Sequence, residues 1–249
     1  MSKSWVTVTT TLPQSLGLQG HPEIQTERLV MKPLSQADLV PFHRLRRQPE
    51  FMKYTASGHP DKNVRETQEK LDSLISAPTN PNAFPFYTYF GIFIKSMGEL
   101  IGDGGVHALA SPACGWPEVS CKFGSEHCGR GYGTEFLRAF TAWWWALPRY
   151  QEDGVDGQRP VSVRIRVHPY SVVWDRDYRV YEEGIPIDAD RNAIEQLYAW
   201  VAPDNYASQG MVIKAGFMKF TTWEHPIKKI PVLGWRQSRH RCSIYPSKL

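Results

Sequence analysis

The segment SEHCGRGYGTEFL, Ser125–Leu137, sets Gly129, Gly131 and Gly133 at alternate positions and then changes directly into a helical pattern. Glycine lets a backbone turn sharply or approach a ligand closely, at a cost in chain entropy. Ahead of a helix it leaves N–H groups unpaired beside the positive end of the helix dipole, which is the chemistry of a phosphate cradle. Other reactive side chains are dispersed. Glu118 opens the alternating stretch PEVSCKFG just before the glycines, and Ser208 lies downstream in DNYASQGMVIKAGF. Cys114, Cys121 and Cys128 recur every seven residues, unlike the close pairs of zinc sites, so no metal is expected. No Cys–His or Ser–His arrangement for covalent catalysis is evident.

Two familiar cradles do not fit. A P-loop needs Gly-Lys followed by Ser or Thr after a four-residue gap, and the chain supplies none. A dinucleotide fingerprint needs its glycines inside a parallel βαβ unit with an acid ending the second strand. Here the helix stops at Pro148, and Glu152 and Asp153 fall in a loop.

The elements that must position these residues can be read from periodicity. TERLVMKPL alternates as a strand, and Ser35 with Asp38 forms a capping box for a helix striped by Leu39, Phe42 and Leu45. Asn63 and Glu66 start a second helix bearing Leu71, Leu74 and Ile75. FYTYFGIFIKS and ELIGDGGVHAL form a hairpin whose glycines imply a bulge. The helix after the glycine turn carries Phe136, Leu137, Phe140, Trp143, Trp144 and Leu147 on one face, which makes its tryptophans core rather than a ligand platform. QLYAWVA reads as a strand, DNYASQGMVIKAGF as a turn and helix ending at Gly216, and FMKFTTWEHPI and RHRCSIYP as two closing strands around a Pro- and Gly-containing link. The sum is an α+β, layered architecture. Residues 1–22 read as a flexible arm and 23–249 as a single domain with an insertion at about 150–193.

With 249 residues, a net charge of +4 and a pI near 8.8, the chain suits an anionic small ligand but lacks the basic density of a nucleic-acid binder. No apolar run reaches membrane-spanning length, and the first twenty residues have no apolar signal region. Reduced thiols and the lack of an N-x-Ser/Thr sequon lead us to expect a cytoplasmic protein with no membrane partner.

HCGRGYGTEF resembles the Gly-rich turn of the GCN5-related N-acetyltransferases (GNAT), especially the ribosomal-protein-alanine acetyltransferase-like branch. TERLVMKPL resembles that family's opening strand, PEVSCKFG its fourth strand, and DNYASQGMVIKAGF its N-x-x-S…K-x-G-F helix, in matching order. Cys128 stands where that branch commonly has an aromatic residue. The resemblance implies a mixed, partly splayed β-sheet flanked by helices, and acetyl-CoA as donor with no metal. It implies a diphosphate surrounded by Gly129, Arg130, Gly131, Gly133 and Thr134, and a thioester held by the backbone N–H groups of Lys122 and Phe123. Asn205 would contact the pantetheine arm and Ser208 the sulfur, because Val212 occupies the place where many relatives have an acidic tyrosine. Glu118 would be the general base, direct or through water. The expected reaction is direct acyl transfer to an amine. The alternative is a non-acetylating acyl-CoA-binding protein, or an enzyme of the same fold with different chemistry. The aromatic FPFYTYF and the insertion favour a small-molecule acceptor over a protein N-terminus; oligomeric state is not legible.

Overall fold

A computed structural model of the chain describes residues 5–13, 23–55, 57–75, 88–153, 157–160, 162–174, 192–225 and 229–239. Strand β1 (Val6–Thr11) is followed by the two-residue β2 (Ile24–Gln25) and by β3 (Leu29–Lys32). Leu29 and Met31 enter one core while Val30 packs into another, as the alternation of TERLVMKPL requires. A 3-10 turn leads into α1 (Leu39–Arg46), and the Asp38 carboxylate accepts from the Ser35 backbone N–H at 2.8 Å. A single turn, α2 (Pro49–Met52), precedes α3 (Val64–Ile75), whose start is capped by the Asn63 side chain, 3.1 Å from the Glu66 N–H.

Strands β4 (Tyr89–Ile94), β5 (Leu100–Ala108) and β6 (Glu118–Phe123) form an antiparallel meander that leads to α4 (Tyr132–Ala146). The hairpin of β7 (Tyr150–Asp153) and β8 (Gly157–Pro160) follows, then β9 (Ser162–Val167), β10 (Gln196–Val201), α5 (Tyr206–Lys214), β11 (Met218–Glu224) and β12 (Pro231–Ser238). The main sheet has eight strands in the order β11-β12-β10-β6-β5-β4-β3-β2. All its pairings are antiparallel except β6 with β10, which are parallel and meet at the single pair Glu118–Tyr198. The sheet is therefore mixed, and it splays after that point.

Phe136, Leu137, Phe140 and Trp144 of α4 pack on Phe90, Ile92, Ile101 and Leu197, so the tryptophan-rich stripe is core as expected. A second core joins Phe42, Leu45 and Leu71 to Phe93 and Leu100 on the opposite face.

Three expectations change. First, the stretch read as an arm contains β1, which pairs along its full length with β9 from the insertion. Val8 and Val167 from this ribbon bury against Cys114, Trp116 and Tyr198 in a third core. Threonine-rich alternation marks this strand, but its partner lies some 150 residues away, beyond any local signal. Second, β5 breaks register twice, against β4 at Ile101 beside Gly102, as the glycines imply, and against β6 at His107, between Val106 and Ala108, away from them. The glycines also serve close approach: a Cβ on Gly105 would strike the Thr88 carbonyl. Third, the Pro/Gly-containing link PVLGWRQS is itself strand β12. Pro231 occupies its first position, where no ladder donor is required, and Gly234 admits the Thr221 methyl, 2.7 Å from where a Cβ would sit. The proposed strand RHRCSIYP lies outside the described residues apart from Arg239.

Candidate functional site

The glycine turn is held from outside the sheet. The Gln48 side chain, between α1 and α2, accepts from the Ser125 N–H at 2.8 Å and so fixes the 3-10 turn Ser125–His127. Gly129 and Gly131 then take φ of +75° and +83°, the left-handed region that disfavours side chains. A Cβ on Gly129 would meet nothing within 4 Å, and one on Gly131 only Arg28 Nη2 at 3.4 Å. These two glycines answer a backbone requirement, and the space in front of them is open. Gly131 caps α4 without side-chain help, and the first intrahelical bond runs from the Glu135 N–H to the Gly131 carbonyl at 3.1 Å. The N–H groups of Tyr132, Gly133 and Thr134 are left without intrahelical acceptors. Among the described residues the Arg130 guanidinium has no ion-pair partner. The donor set and the open space fit a diphosphate.

Gly133 has a different role. A Cβ there would lie 2.6 Å from Met211 Sδ of α5 and 3.5 Å from the Phe123 ring. Met211 also accepts from the Cys121 thiol at 3.6 Å. Met211 therefore sits where α4, α5 and β6 converge, and nothing in its local sequence singles it out.

Backbone pairing sorts the β6 N–H groups. Gly124 donates to Ile101 on the β5 side, and Tyr198 donates to the Pro117 carbonyl from the opposite side, each at 2.8 Å. With the two-residue alternation of an antiparallel ladder, the Lys122 N–H faces Asp103 on β5, while those of Cys121 and Phe123 face the splayed side. Of the pair expected to meet a thioester, Phe123 is suitably directed and the Lys122 N–H is not. The Lys122 ammonium instead pairs with buried Asp103 at 2.7 Å and donates to Tyr89 Oη at 3.1 Å. Burial alone would lower the Lys122 pKa, but Asp103 and Tyr89 outweigh it and hold the ammonium charged. Burial and the same carboxylate push the Tyr89 phenol up to about 12.

On α5, Asn205 is the N-cap and its side chain accepts from the Ser208 N–H at 3.1 Å. The cap of α5 is thus Asn205, and no hydrogen bond engages the Ser208 hydroxyl among the described residues. Val212 points into the main core at 2% exposure, so the tyrosine position of the resembled family is structural in this chain. The helix closes as expected: the Phe217 N–H reaches the Val212 carbonyl at 2.9 Å around Gly216, whose φ is +85°.

Glu118 stands at the one residue pair joining β6 to β10. It is 3% exposed, and both carboxylate oxygens are engaged. The Ser111 hydroxyl donates to Oε2, and His107 Nε2 lies 3.2 Å from Oε1. Burial would raise the pKa of this carboxyl, but His107, Ser111 and His225 together hold it below the ordinary value. His107, left outside the expected catalytic set, is the exposed member of the pair. It lies eleven positions before Glu118, on the adjoining strand of an antiparallel hairpin. The register that pairs Val106 with Val119 carries it to the Glu118 end of β6, where it is the extra residue of the bulge.

These observations define a mixed, splayed sheet with a glycine-rich helix start at the splay. The Acetyltransferase (GNAT) domain family matches residues 28–218, and the chain belongs to that family. Among solved structures, a GNAT-family acetyltransferase from Bacillus anthracis aligns with a TM-score of 0.55 at 13% identity, covering 88% of this chain and 99% of its own. A ribosomal-protein-serine acetyltransferase from Vibrio cholerae aligns with a TM-score of 0.52 at 13% identity, over 87% and 97% of the two chains. The ribosomal alpha-N-protein acetyltransferase RimL, in complex with coenzyme A, aligns with a TM-score of 0.54 at 11% identity, over 87% and 98%. No protein in the curated collection matches the sequence significantly.

Proposed function

We propose that the protein transfers an acetyl group from acetyl-CoA to an amine by direct attack. The observation that carries this reading is one juxtaposition: a helix start with unpaired N–H groups beside parallel strands that part after a single residue pair. Gly129, Arg130, Gly131, Gly133 and Thr134 would hold the diphosphate through N–H groups and the Arg130 guanidinium. The unpaired edge of β6 would receive the pantetheine amides, and the Phe123 N–H the thioester oxygen. The coenzyme A in the RimL complex supports this choice of donor.

The acceptor ammonium first loses a proton to the Glu118 end of the cleft. Its nitrogen then forms the C–N bond as the C–S bond breaks. Its second proton passes by way of the Ser208 hydroxyl to the departing thiolate. Asn205 positions Ser208 by fixing the first turn of α5. A small-molecule acceptor is favoured because the β1–β9 ribbon and the loop bearing Ser111 wall the flank of Glu118. Phe90, one of the aromatic residues behind that expectation, takes no part, being buried beneath α4.

Thiol release from acetyl-CoA, measured alone and with phenethylamine, spermidine, ribostamycin or a peptide with a free N-terminus, tests the reading. An amine-dependent rate with a matching acetylated product supports it. Calorimetric binding of coenzyme A with no amine-dependent release would leave a binding protein and overturn acetyl transfer.

A further inference from the structure

The geometry points to His107, rather than Glu118, as the group that takes the acceptor's proton, with Glu118 as its positioning residue. The inference rests on the proposed amine acetylation and names the proton acceptor within it. Glu118 is 3% exposed, and its oxygens already accept from Ser111 and His107, so an arriving amine meets the exposed imidazole before the carboxylate. The His107 side chain is 41% exposed at the same place.

The tautomer follows from the partners. An ionised carboxylate only accepts hydrogen bonds, so His107 Nε2, 3.2 Å from Glu118 Oε1, carries the proton. Nδ1 then holds the lone pair, and it faces the Ser120 hydroxyl at 3.2 Å. Ser120 is a neighbour on β6 that can donate to Nδ1 at rest and yield when an ammonium group arrives. The proton leaves the acceptor nitrogen for Nδ1, and the imidazolium formed is balanced by the Glu118 carboxylate. The β5–β6 register brings the two together, since His107 follows the Val106–Val119 pair on β5 and Glu118 precedes Val119 on β6, with His107 the extra residue of the bulge.

Among the described residues, the other titratable groups around the pair are Cys114, Tyr198 and His225. Burial pushes the Cys114 thiol and the Tyr198 phenol up, so both stay neutral across the range of interest. His225 favours the ionised Glu118 through its charge and packs edge-on against Trp200 at 5.0 Å.

The test combines kinetics with nitrogen NMR of the full chain, using acetyl-CoA and whichever panel amine is acetylated. His107→Gln should lower kcat/KM at neutral pH by about a hundredfold and remove the acidic limb, with coenzyme A affinity unchanged. Most of the loss should return at high pH, where the amine is already neutral. Glu118→Gln should keep the limb and lower kcat/KM less than His107→Gln, because an amide oxygen still accepts from Nε2 but no longer balances the imidazolium. A wild-type profile in His107→Gln, or loss of the limb in Glu118→Gln alone, would overturn the assignment. The His107 ring in the unmodified protein should report protonated Nε2 and bare Nδ1; the opposite tautomer would also overturn it. The NMR arm needs no turnover, so it remains readable if no amine is acetylated and the functional proposal itself fails.

Discussion

Arg28 Nη2 and Glu135 Oε2 lie 2.6 Å apart although the residues are separated by 107 positions. Glu135 also accepts from the Arg28 backbone N–H at 3.0 Å and from the Thr26 hydroxyl at 2.6 Å, while Arg28 Nη1 donates to the Arg130 carbonyl at 3.1 Å. The entry to β3 therefore holds both the first turn of α4 and the glycine turn before it. Glu135 is therefore a junction between β3 and α4 as well as an acid in the first turn of the helix.

Arg28→Ala should leave an unbalanced carboxylate beside the diphosphate donors. Coenzyme A should then bind about tenfold more weakly by calorimetry, near 1.4 kcal/mol. Because the pair is partly exposed, the loss should shrink in high salt. The double variant Arg28→Ala with Glu135→Gln should recover part of the affinity. An unchanged Kd in the single variant would remove this pair from the binding site.

Gly131→Val places a β-branched residue at a φ of +83° with open space before it. The variant should stay folded, with a Tm lower by a few degrees for a strain of about 1–2 kcal/mol. Coenzyme A binding should be lost, since the side chain would fill the approach to the unpaired N–H groups. Full affinity in a folded variant would show that the diphosphate lies elsewhere.

Ser208→Ala removes a hydroxyl with no hydrogen-bond partner among the described residues, while the Asn205 cap on its backbone N–H persists. Stability should change little. A drop in kcat of about tenfold to a thousandfold, with donor affinity preserved, would match a hydrogen bond to the departing thiolate. Normal turnover would exclude that role.

Gly115 has a φ of +85°, and a Cβ there would strike the Arg166 carbonyl of β9. Gly115→Val should push the β1–β9 ribbon off the loop that carries Ser111. Acceptor KM should rise or acceptor choice broaden while coenzyme A affinity holds. Equal weakening of both would make the ribbon part of the general core.

Glu118 has a folded pKa held below its ordinary value of 4.5, so its ionised form stabilises the fold. That contribution is complete above pH 4.5 and is lost as pH falls through the lower folded value. Between pH 5 and pH 3 the wild-type Tm should fall more steeply than that of Glu118→Gln. Parallel curves would mean that this carboxyl titrates alike in the folded and unfolded chain.

The sequence by itself determined the elements with strong local signals. Ser35 with Asp38, Asn63, Gly131 and Gly216 mark helix ends through short-range capping and left-handed backbone, and the α4 stripe declares its buried face through a 3.6-residue period. The glycine turn was legible for the same reason, since Gly129 and Gly131 are required by their own φ angles. Tertiary structure decided whatever depends on which distant groups meet. Gly133 looks like its two neighbours in sequence yet exists for Met211 across a helix contact. Lys122 and Phe123 are adjacent, but the ladder with β5 turns one N–H inward and the other toward the splay. Glu118 reads as a base at a strand start; the structure buries it where β6 meets β10 at Tyr198, and the β5–β6 register gives it an imidazole partner in His107. Local patterns specify conformation because their energies come from neighbouring residues. Register, bulges and ion pairs between strands take theirs from partners that only the folded chain brings together.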